Sequence, residues 1–205
     1  MDRVKPFNKI LSIVGILLII SACQRSSESA LKLQENLRSD NCIPLCWEGI
    51  QPGLTSSESA KEILIEKYGE ERISIEENWI DFSANNDDLL NKGSFSINKE
   101  VVQEVYISLN EMISVDDLLS VLGNPTYVLV DGVNECLGSH LWFMDDGIFA
   151  HIDNPDTPSK GITKTQYVLL LRLTAVDAID ESQIYDANLI KWDGYKDYCK
   201  LVFGD

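Results

Sequence analysis

The apolar run over residues 10–20 limits what the rest of this chain can fold into. It follows a cationic stretch that contains Arg3, Lys5 and Lys9, and hydrophilic residues come after it. A helix that crosses the hydrocarbon core of a membrane needs about 20 apolar residues, so this run is short for a permanent span. A cationic start before a short apolar segment is typical of a secretory signal. We therefore expect residues 1–22 to be a signal peptide and the remaining chain to be exported.

The segment Ile20-Ser21-Ala22-Cys23 closes this run. It resembles the lipobox of bacterial lipoproteins, in which a branched apolar residue and two small residues precede a cysteine. The resemblance implies that the sulfur of Cys23 carries a diacylglycerol and anchors the protein to the cell membrane or outer membrane, at the extracytoplasmic face. Each buried methylene contributes about 0.8 kcal/mol, so two or more acyl chains hold a protein stably. The alternative is an ordinary secretion signal, which also places the folded part outside the cytoplasm.

The chain is strongly acidic, with 33 Asp and Glu against 17 Lys and Arg and a formal net charge of −16. Nucleic-acid binding depends on Lys and Arg that neutralise phosphates, so we expect no nucleic-acid partner. Anionic lipid headgroups would repel the same surface. The predicted contact with the membrane is therefore the lipid on Cys23.

Four further cysteines are candidates for disulfides: Cys42, Cys46, Cys136 and Cys199. Disulfides persist outside the cytoplasm, and four cysteines allow three pairings. Pro44 favours a turn between the first two, and a bridge needs that turn because its Cα atoms lie about 4.4–6.8 Å apart. We predict a local Cys42–Cys46 bridge, which leaves Cys136 for Cys199. A zinc site is the rival arrangement, but the sequence lacks two close-spaced ligand pairs, so we predict no metal and no cofactor.

Helix signals occur twice along the exported part. Thr55 and Glu58 form a capping box, and Gly69 is placed to end the helix that follows. Ser114 begins a second helix, and Gly123 is placed to end it. Alternating apolar residues, typical of antiparallel strands, follow each helix.

This repetition predicts an α+β fold of two tandem helix-plus-antiparallel-meander units, with an internal duplication as its origin. The first α+β unit would span residues 42–110 and the second residues 111–205. Residues 23–41 are rich in Ser, Gln, Asn and charge, so we expect the lipidated Cys23 to be followed by a flexible tether or a loosely held helix.

Two segments carry a family resemblance. Residues 50–55 read Ile-Gln-Pro-Gly-Leu-Thr, and residues 122–125 read Leu-Gly-Asn-Pro. They resemble the Gly-x-Thr and Leu-Gly-x-Pro signatures of the SmpA/OmlA-type small lipoproteins, and the tandem units resemble the architecture of the beta-lactamase inhibitor protein. The Cys-x-Pro-x-Cys-Trp segment that begins at Cys42 is similar to one in exported bacterial lipoproteins. The resemblance implies a lipoprotein of tandem α+β units and implies no activity.

The sequence contains no motif of the familiar enzyme classes: it has no Gly-x-Ser-x-Gly, no His-Glu-x-x-His and no P-loop. His140 and His151 flank a predicted hairpin whose turn is Asp146-Gly147, so they are placed to face each other across it. The pair is a weak candidate for a metal or acid–base site, and two partly exposed strand histidines are the favoured interpretation. We therefore predict a non-catalytic protein.

Aromatic residues near glycines form a more suggestive pattern. Trp47 and Trp192 each lie close to a glycine and a cysteine, and Tyr195 follows shortly after Trp192. Loop positions are exposed more often than strand interiors, so these three residues are candidates for binding a protein partner in the cell envelope. The alternative is that they fill the ends of the sheets. Two functional classes remain open: a non-catalytic lipoprotein that binds or scaffolds an envelope protein, and a ligand-binding or enzymatic lipoprotein with an unrecognised site.

Overall fold

The computed structural model describes residues 27–38, 42, 45–84, 89–131, 138–153, 161–176 and 188–203. The strands are β1 (Ile73–Glu76), β2 (Trp79–Ser83), β3 (Leu90–Asn98), β4 (Val101–Ser114), β5 (Tyr127–Asp131), β6 (Gly138–Phe143), β7 (Ile148–Ile152), β8 (Tyr167–Thr174) and β9 (Leu189–Lys191). The helices are α1 (Glu28–Leu37), α2 (Ser57–Tyr68), α3 (Val115–Leu122) and α4 (Tyr198–Phe203).

The strands form one continuous antiparallel sheet in the order β1-β2-β3-β4-β8-β7-β6-β5-β9. The prediction of two tandem helix-plus-meander units is therefore wrong. Strand β4 is 14 residues long and runs across the predicted boundary between residues 110 and 111. It pairs with β3 on one side and with β8 on the other, so strands from both halves of the chain extend a single sheet.

Three helices and the apolar side of the sheet enclose one hydrophobic core. Helix α1 contacts α3 and β4, α2 contacts β2 and β4, and α3 contacts β4 and β8. Along the strands, every second side chain faces the helices. Fully buried examples are Phe95, Val105, Leu141 and Leu171. Because successive strand residues point to opposite faces, the residues between them lie on the other face of the sheet. We call this second surface the outer face.

The predicted boundaries of α2 and α3 agree with the structure except at the start of α2. The side chain of Ser56, not Thr55, caps this helix by accepting a hydrogen bond from the backbone amide of Ser59 at 3.2 Å. Thr55 instead accepts a hydrogen bond from the backbone amide of Gln51 through Oγ1 at 2.8 Å. The predicted cap Ser114 is confirmed, since its hydroxyl accepts from the amide of Asp117 at 3.1 Å.

The predicted tether contains a packed helix. Within α1, Leu33 and Leu37 are fully buried in the core. The guanidinium of Arg38 donates to the carbonyl of Val121 at 3.1 Å, which ties the end of α1 to α3. Of the two structures expected within residues 23–41, a tether or a loosely held helix, the chain has a helix over the ten residues of α1, and this helix is packed into the core. Cys23 and the residues up to 26 lie outside the described part of the chain.

Disulfide bonding follows the prediction where the structure describes it. Cys42 and Cys46 are bridged, with their Cα atoms 5.6 Å apart. Cys199 is also disulfide-bonded, and its partner lies outside the described residues, as Cys136 does. Its pairing with Cys136 stays a prediction. Within the ranges given above, no helix has the length and apolarity that crossing a membrane requires.

Candidate functional site

A row of five side chains crosses the outer face from β5 to β4. Tyr127 pairs with Trp142, Trp142 with Phe149, Phe149 with Arg172, and Arg172 with Tyr106. The rings of Trp142 and Phe149 stack at a centroid distance of 4.4 Å. The Arg172 guanidinium lies 5.4 Å from the ring centre of Phe149 and 5.6 Å from that of Tyr106, a distance at which cations and aromatic rings attract each other.

The cation in this row is neutralised by its neighbours. Arg172 forms an ion pair with Glu104, and the hydroxyl of Tyr106 donates to the same carboxylate. Burial, together with this hydrogen bond, raises the pKa of Tyr106 to about 12. The Glu104 carboxylate therefore accepts from both Arg172 and Tyr106. This indicates that the three side chains have a structural role.

The next row along the strands places two histidines side by side. His140 on β6 pairs with His151 on β7, and half-buried leucines flank them, Leu129 on β5 and Leu170 on β8. The Nδ1 atoms of the two histidines lie 3.3 Å apart. This confirms the prediction that they face each other across a hairpin, and both are partly exposed, as expected.

A carboxylate that the sequence analysis did not connect with the histidines completes the cluster. Nε2 of His140 donates a hydrogen bond to Oδ2 of Asp131 at 2.5 Å. Asp131 ends β5 and lies two residues beyond Leu129, the residue that pairs with His140, so all three polar side chains share the outer face. One donor atom from each of Asp131, His140 and His151 lies within 4.8 Å of the other two. We call these three residues the histidine cluster.

The surroundings of the histidine cluster favour a neutral His151. Burial lowers its pKa, and the charge on His140 lowers it further, while Asp131 and Asp153 act in the opposite direction. The side chains of His140 and Asp131 are 23% and 43% exposed, so solvent reaches the cluster. Two imidazoles and a carboxylate in this arrangement can bind a metal ion or exchange protons.

Gly138 leaves room beside the cluster. It pairs with Asp131 across the β5–β6 ladder, so a side chain at this position would stand next to the carboxylate. A Cβ atom there would lie 3.5 Å from Cε1 of His151 and 3.8 Å from Oδ2 of Asp131. A side chain at position 138 would therefore contact both His151 and Asp131.

Trp47 does not lie on a binding surface. It is fully buried in the core, and its backbone forms a bridge with Ile50 in which the Trp47 amide donates to the Ile50 carbonyl at 3.0 Å. The expectation that this tryptophan is exposed is wrong, because the turn that contains Glu48 and Gly49 folds its side chain inwards. The alternative interpretation was that Trp47 fills the end of the sheet. Its burial in the core agrees with this interpretation.

Trp192 and Tyr195 are half-buried and form an aromatic cluster with Tyr198 of α4. The ring of Trp192 stacks on that of Tyr198 at 5.8 Å and meets that of Tyr195 edge-on at 5.6 Å. The Tyr195 hydroxyl donates to Oδ1 of Asp116 at 2.9 Å. Burial and this hydrogen bond raise the pKa of Tyr195 to about 12.

A small cleft lies between α1, α2 and β3, with a volume of about 160 Å³. Its lining includes Glu35, Asn36, Glu48, Lys67 and Tyr68. Lys67 and Glu48 form an ion pair there. Pockets that hold small-molecule ligands usually measure about 300–1,000 Å³, so this cleft is below the usual size.

Comparison with known proteins identifies no family. No family model matches the chain, and no curated protein matches it. A crystal structure of a cysteine-rich secretory protein from Staphylococcus aureus is similar, with 11% sequence identity over 74% of this chain and a TM-score of 0.30. The chain spans about half of that protein's length, 54%. The similarity is too low to support a shared fold or function.

Proposed function

We propose that this protein is a lipid-anchored lipoprotein of the cell envelope, non-catalytic, whose extracytoplasmic domain binds another envelope protein. The observation that carries the proposal is the sequence Ile20-Ser21-Ala22-Cys23 directly after a short apolar run. A cysteine at the end of a secretion signal is a site at which a bacterial cell attaches lipid, and the run is short for a spanning helix.

Disulfide bonding supports the extracytoplasmic location. Cys42 is bridged to Cys46, and Cys199 is also disulfide-bonded. Disulfides are rare in the cytoplasm, where thiols are kept reduced, and common in exported domains.

The candidate surface for a protein partner is the aromatic cluster of Trp192, Tyr195 and Tyr198. Two of its rings are partly exposed, and aromatic residues that are partly buried before binding often become the central contacts of interfaces. Asp193 is exposed beside them and forms an ion pair with Lys196, while the chain as a whole carries a net charge of −16. A partner with a basic surface fits this charge, because opposite potentials accelerate association.

Fatty-acid labelling in cells tests the anchor. The Cys23→Ser variant should lose the label and leave the membrane fraction, because no other residue in the lipobox carries a thiol. Cys42→Ser is the matched control, since it removes a thiol outside the lipobox and should keep the label. Label on the Cys23→Ser variant would disprove the lipoprotein assignment.

Site-specific photocrosslinking in intact cells tests the partner surface. A photoreactive phenylalanine analogue at position 195 should give one discrete adduct with an envelope protein. The same analogue at position 79 is the control, because Trp79 is partly exposed on β2, near the opposite edge of the sheet. Absence of an adduct at 195, or the same adducts at both positions, would contradict the proposed surface.

A further inference from the structure

The nitrogen atoms of the two imidazoles in the histidine cluster are as far apart as two nitrogen ligands of one metal ion. Zinc–nitrogen bonds measure about 2.0–2.1 Å, and tetrahedral angles then place two ligand nitrogens about 3.3 Å apart. Nδ1 of His151 lies 3.3 Å from Nδ1 and 3.4 Å from Nε2 of His140. Two neutral imidazoles at this distance can share a proton or a cation, since each ring has an acceptor nitrogen.

Asp131 supplies the third donor. Its carboxylate accepts a hydrogen bond from His140 at 2.5 Å, which orients the ring. Coordination would replace the bridging proton with the ion and would move the carboxylate by about 1 Å, because two ligands of one ion lie farther apart than a hydrogen-bonded pair. Asp131 is the last residue of β5 and its side chain is 43% exposed, so its carboxylate lies at the surface, where it can move.

The three donors have space and charge around them that suit a cation. The side chains of His140 and Asp131 are 23% and 43% exposed, so a water molecule from solvent can reach the cluster as a further ligand. Asp153 acts on His151 as a negative charge, in addition to Asp131. Neither feature belongs to the aromatic cluster proposed above as the partner surface.

We propose that Asp131, His140 and His151 form a binding site for a divalent transition-metal ion such as Zn²⁺, with three protein ligands and one position open to solvent. Imidazole ligands select zinc, copper, nickel and iron over magnesium and calcium, which prefer sites made of oxygen donors. Three protein ligands with an open position are typical of zinc sites that exchange or activate a bound molecule, whereas structural zinc sites are closed by four. The site therefore takes up an exchangeable ion on the outer face of the sheet.

Calorimetry with zinc chloride tests this site on the full chain, purified in detergent without a histidine tag and treated with EDTA. We expect one zinc ion per chain and no binding of magnesium. His140→Gln and His151→Gln should each weaken zinc binding about 100-fold or more, because losing a ligand costs more than losing a residue that only orients one. Zinc binding that is unchanged in either glutamine variant, or no stoichiometric binding at all, would disprove the site.

The two aspartates provide a matched pair of variants. Asp131→Asn and Asp153→Asn each remove one negative charge near the histidines, but we assign only Asp131 as a ligand. The Asp131 variant should bind zinc about 100-fold more weakly, as expected for loss of a ligand, and the Asp153 variant within about threefold of the parent. Equal losses in both variants would mean that a diffuse negative field, and not a coordination site, attracts the ion.

An unmodified chain offers a test that does not depend on whether variants fold. The sequence contains two histidines in all, His140 and His151, so every imidazole signal in its proton NMR spectrum comes from this cluster. Addition of one equivalent of zinc should shift both sets of ring resonances. Ring resonances that stay unshifted at saturating zinc would overturn the proposal.

Discussion

His140 and His151 are direct cross-strand partners, and their Nδ1 atoms lie 3.3 Å apart although eleven positions separate them in the chain. Their register depends on the connection between β6 and β7, a 3₁₀ turn over Met144–Asp146 followed by Gly147. A slip of one residue would turn one histidine towards the core, because alternate strand residues point to opposite faces. The turn therefore determines whether the cluster exists.

Gly147 is the residue in this turn that tolerates least change. Its φ is +67°, and a Cβ atom would lie 2.3 Å from the carbonyl oxygen of Thr174. We expect Gly147→Ala to destabilise the protein by about 2–4 kcal/mol, the sum of left-handed strain and a backbone clash. Gly49→Ala is the control, since Gly49 has a φ of +82° but nothing within 4 Å of a Cβ, and it should cost about 1–2 kcal/mol. Urea denaturation measures both, and equal midpoints would contradict the clash.

We expect Trp47 to stabilise the fold and not to bind a partner. It is fully buried, so Trp47→Ala removes a large apolar side chain and leaves a cavity that should cost about 3–5 kcal/mol. Trp79→Ala is the control, because Trp79 is 39% exposed and should cost much less. Thermal unfolding of the two variants distinguishes them. A Trp47 variant that melts like the parent would mean that this side chain is not in the core.

The exported chain should contain no free thiol among Cys42, Cys46, Cys136 and Cys199. The two predicted bridges use all four, and the structure describes the first bridge and the bonded state of Cys199. Alkylation without reductant, followed by mass spectrometry of non-reduced peptides, should find a peptide that links Cys136 to Cys199. An alkylated Cys136 would show that Cys199 has another partner.

The sequence predicted local structure well because local structure depends on neighbouring residues. The cap at Ser114, the glycine that ends α3 and the β6–β7 hairpin all follow from residues within one turn of each other. The predicted start of α2 was wrong by one residue, because Thr55 and Ser56 can both cap a helix. In the structure Thr55 accepts a hydrogen bond from the amide of Gln51, and Ser56 caps the helix. Periodicity alone contains no information about such a choice.

Long-range pairing was the part that the sequence could not predict. Two helix signals suggested two units, but β4 continues past residue 110 and offers its second edge to β8. Asp131 was missed for a similar reason. Six residues separate β5 from β6, too many for a two-residue hairpin turn to fix the register, so the residue opposite Gly138 could not be deduced from the sequence. A rule that tests strand-end carboxylates against nearby histidines would have found it.

Alkaline titration should reveal tyrosines that ionise late: Tyr106 and Tyr195, and also Tyr198, whose pKa is raised chiefly by burial. The pKa values of Tyr106 and Tyr195 are raised to about 12, chiefly by burial and then by hydrogen bonds to Glu104 and Asp116. A pKa that is higher in the folded than in the unfolded chain means that the neutral hydroxyl stabilises the fold below pH 10. This contribution should be lost as the pH rises from 10 to 12, so unfolding should accompany the late ionisation.

The tyrosinate absorbance measured during this titration checks the assignment. Tyr195→Phe and Tyr106→Phe should each remove one late-ionising group, and each should flatten the loss of stability between pH 10 and 12. Phenylalanine preserves the ring contact of Tyr195 with Trp192, which lies 5.6 Å away, so the change isolates the hydroxyl. If every tyrosine of the folded protein ionises near pH 10, neither hydroxyl is held by its carboxylate, and the link between Tyr195 and Asp116 contributes nothing to the aromatic cluster.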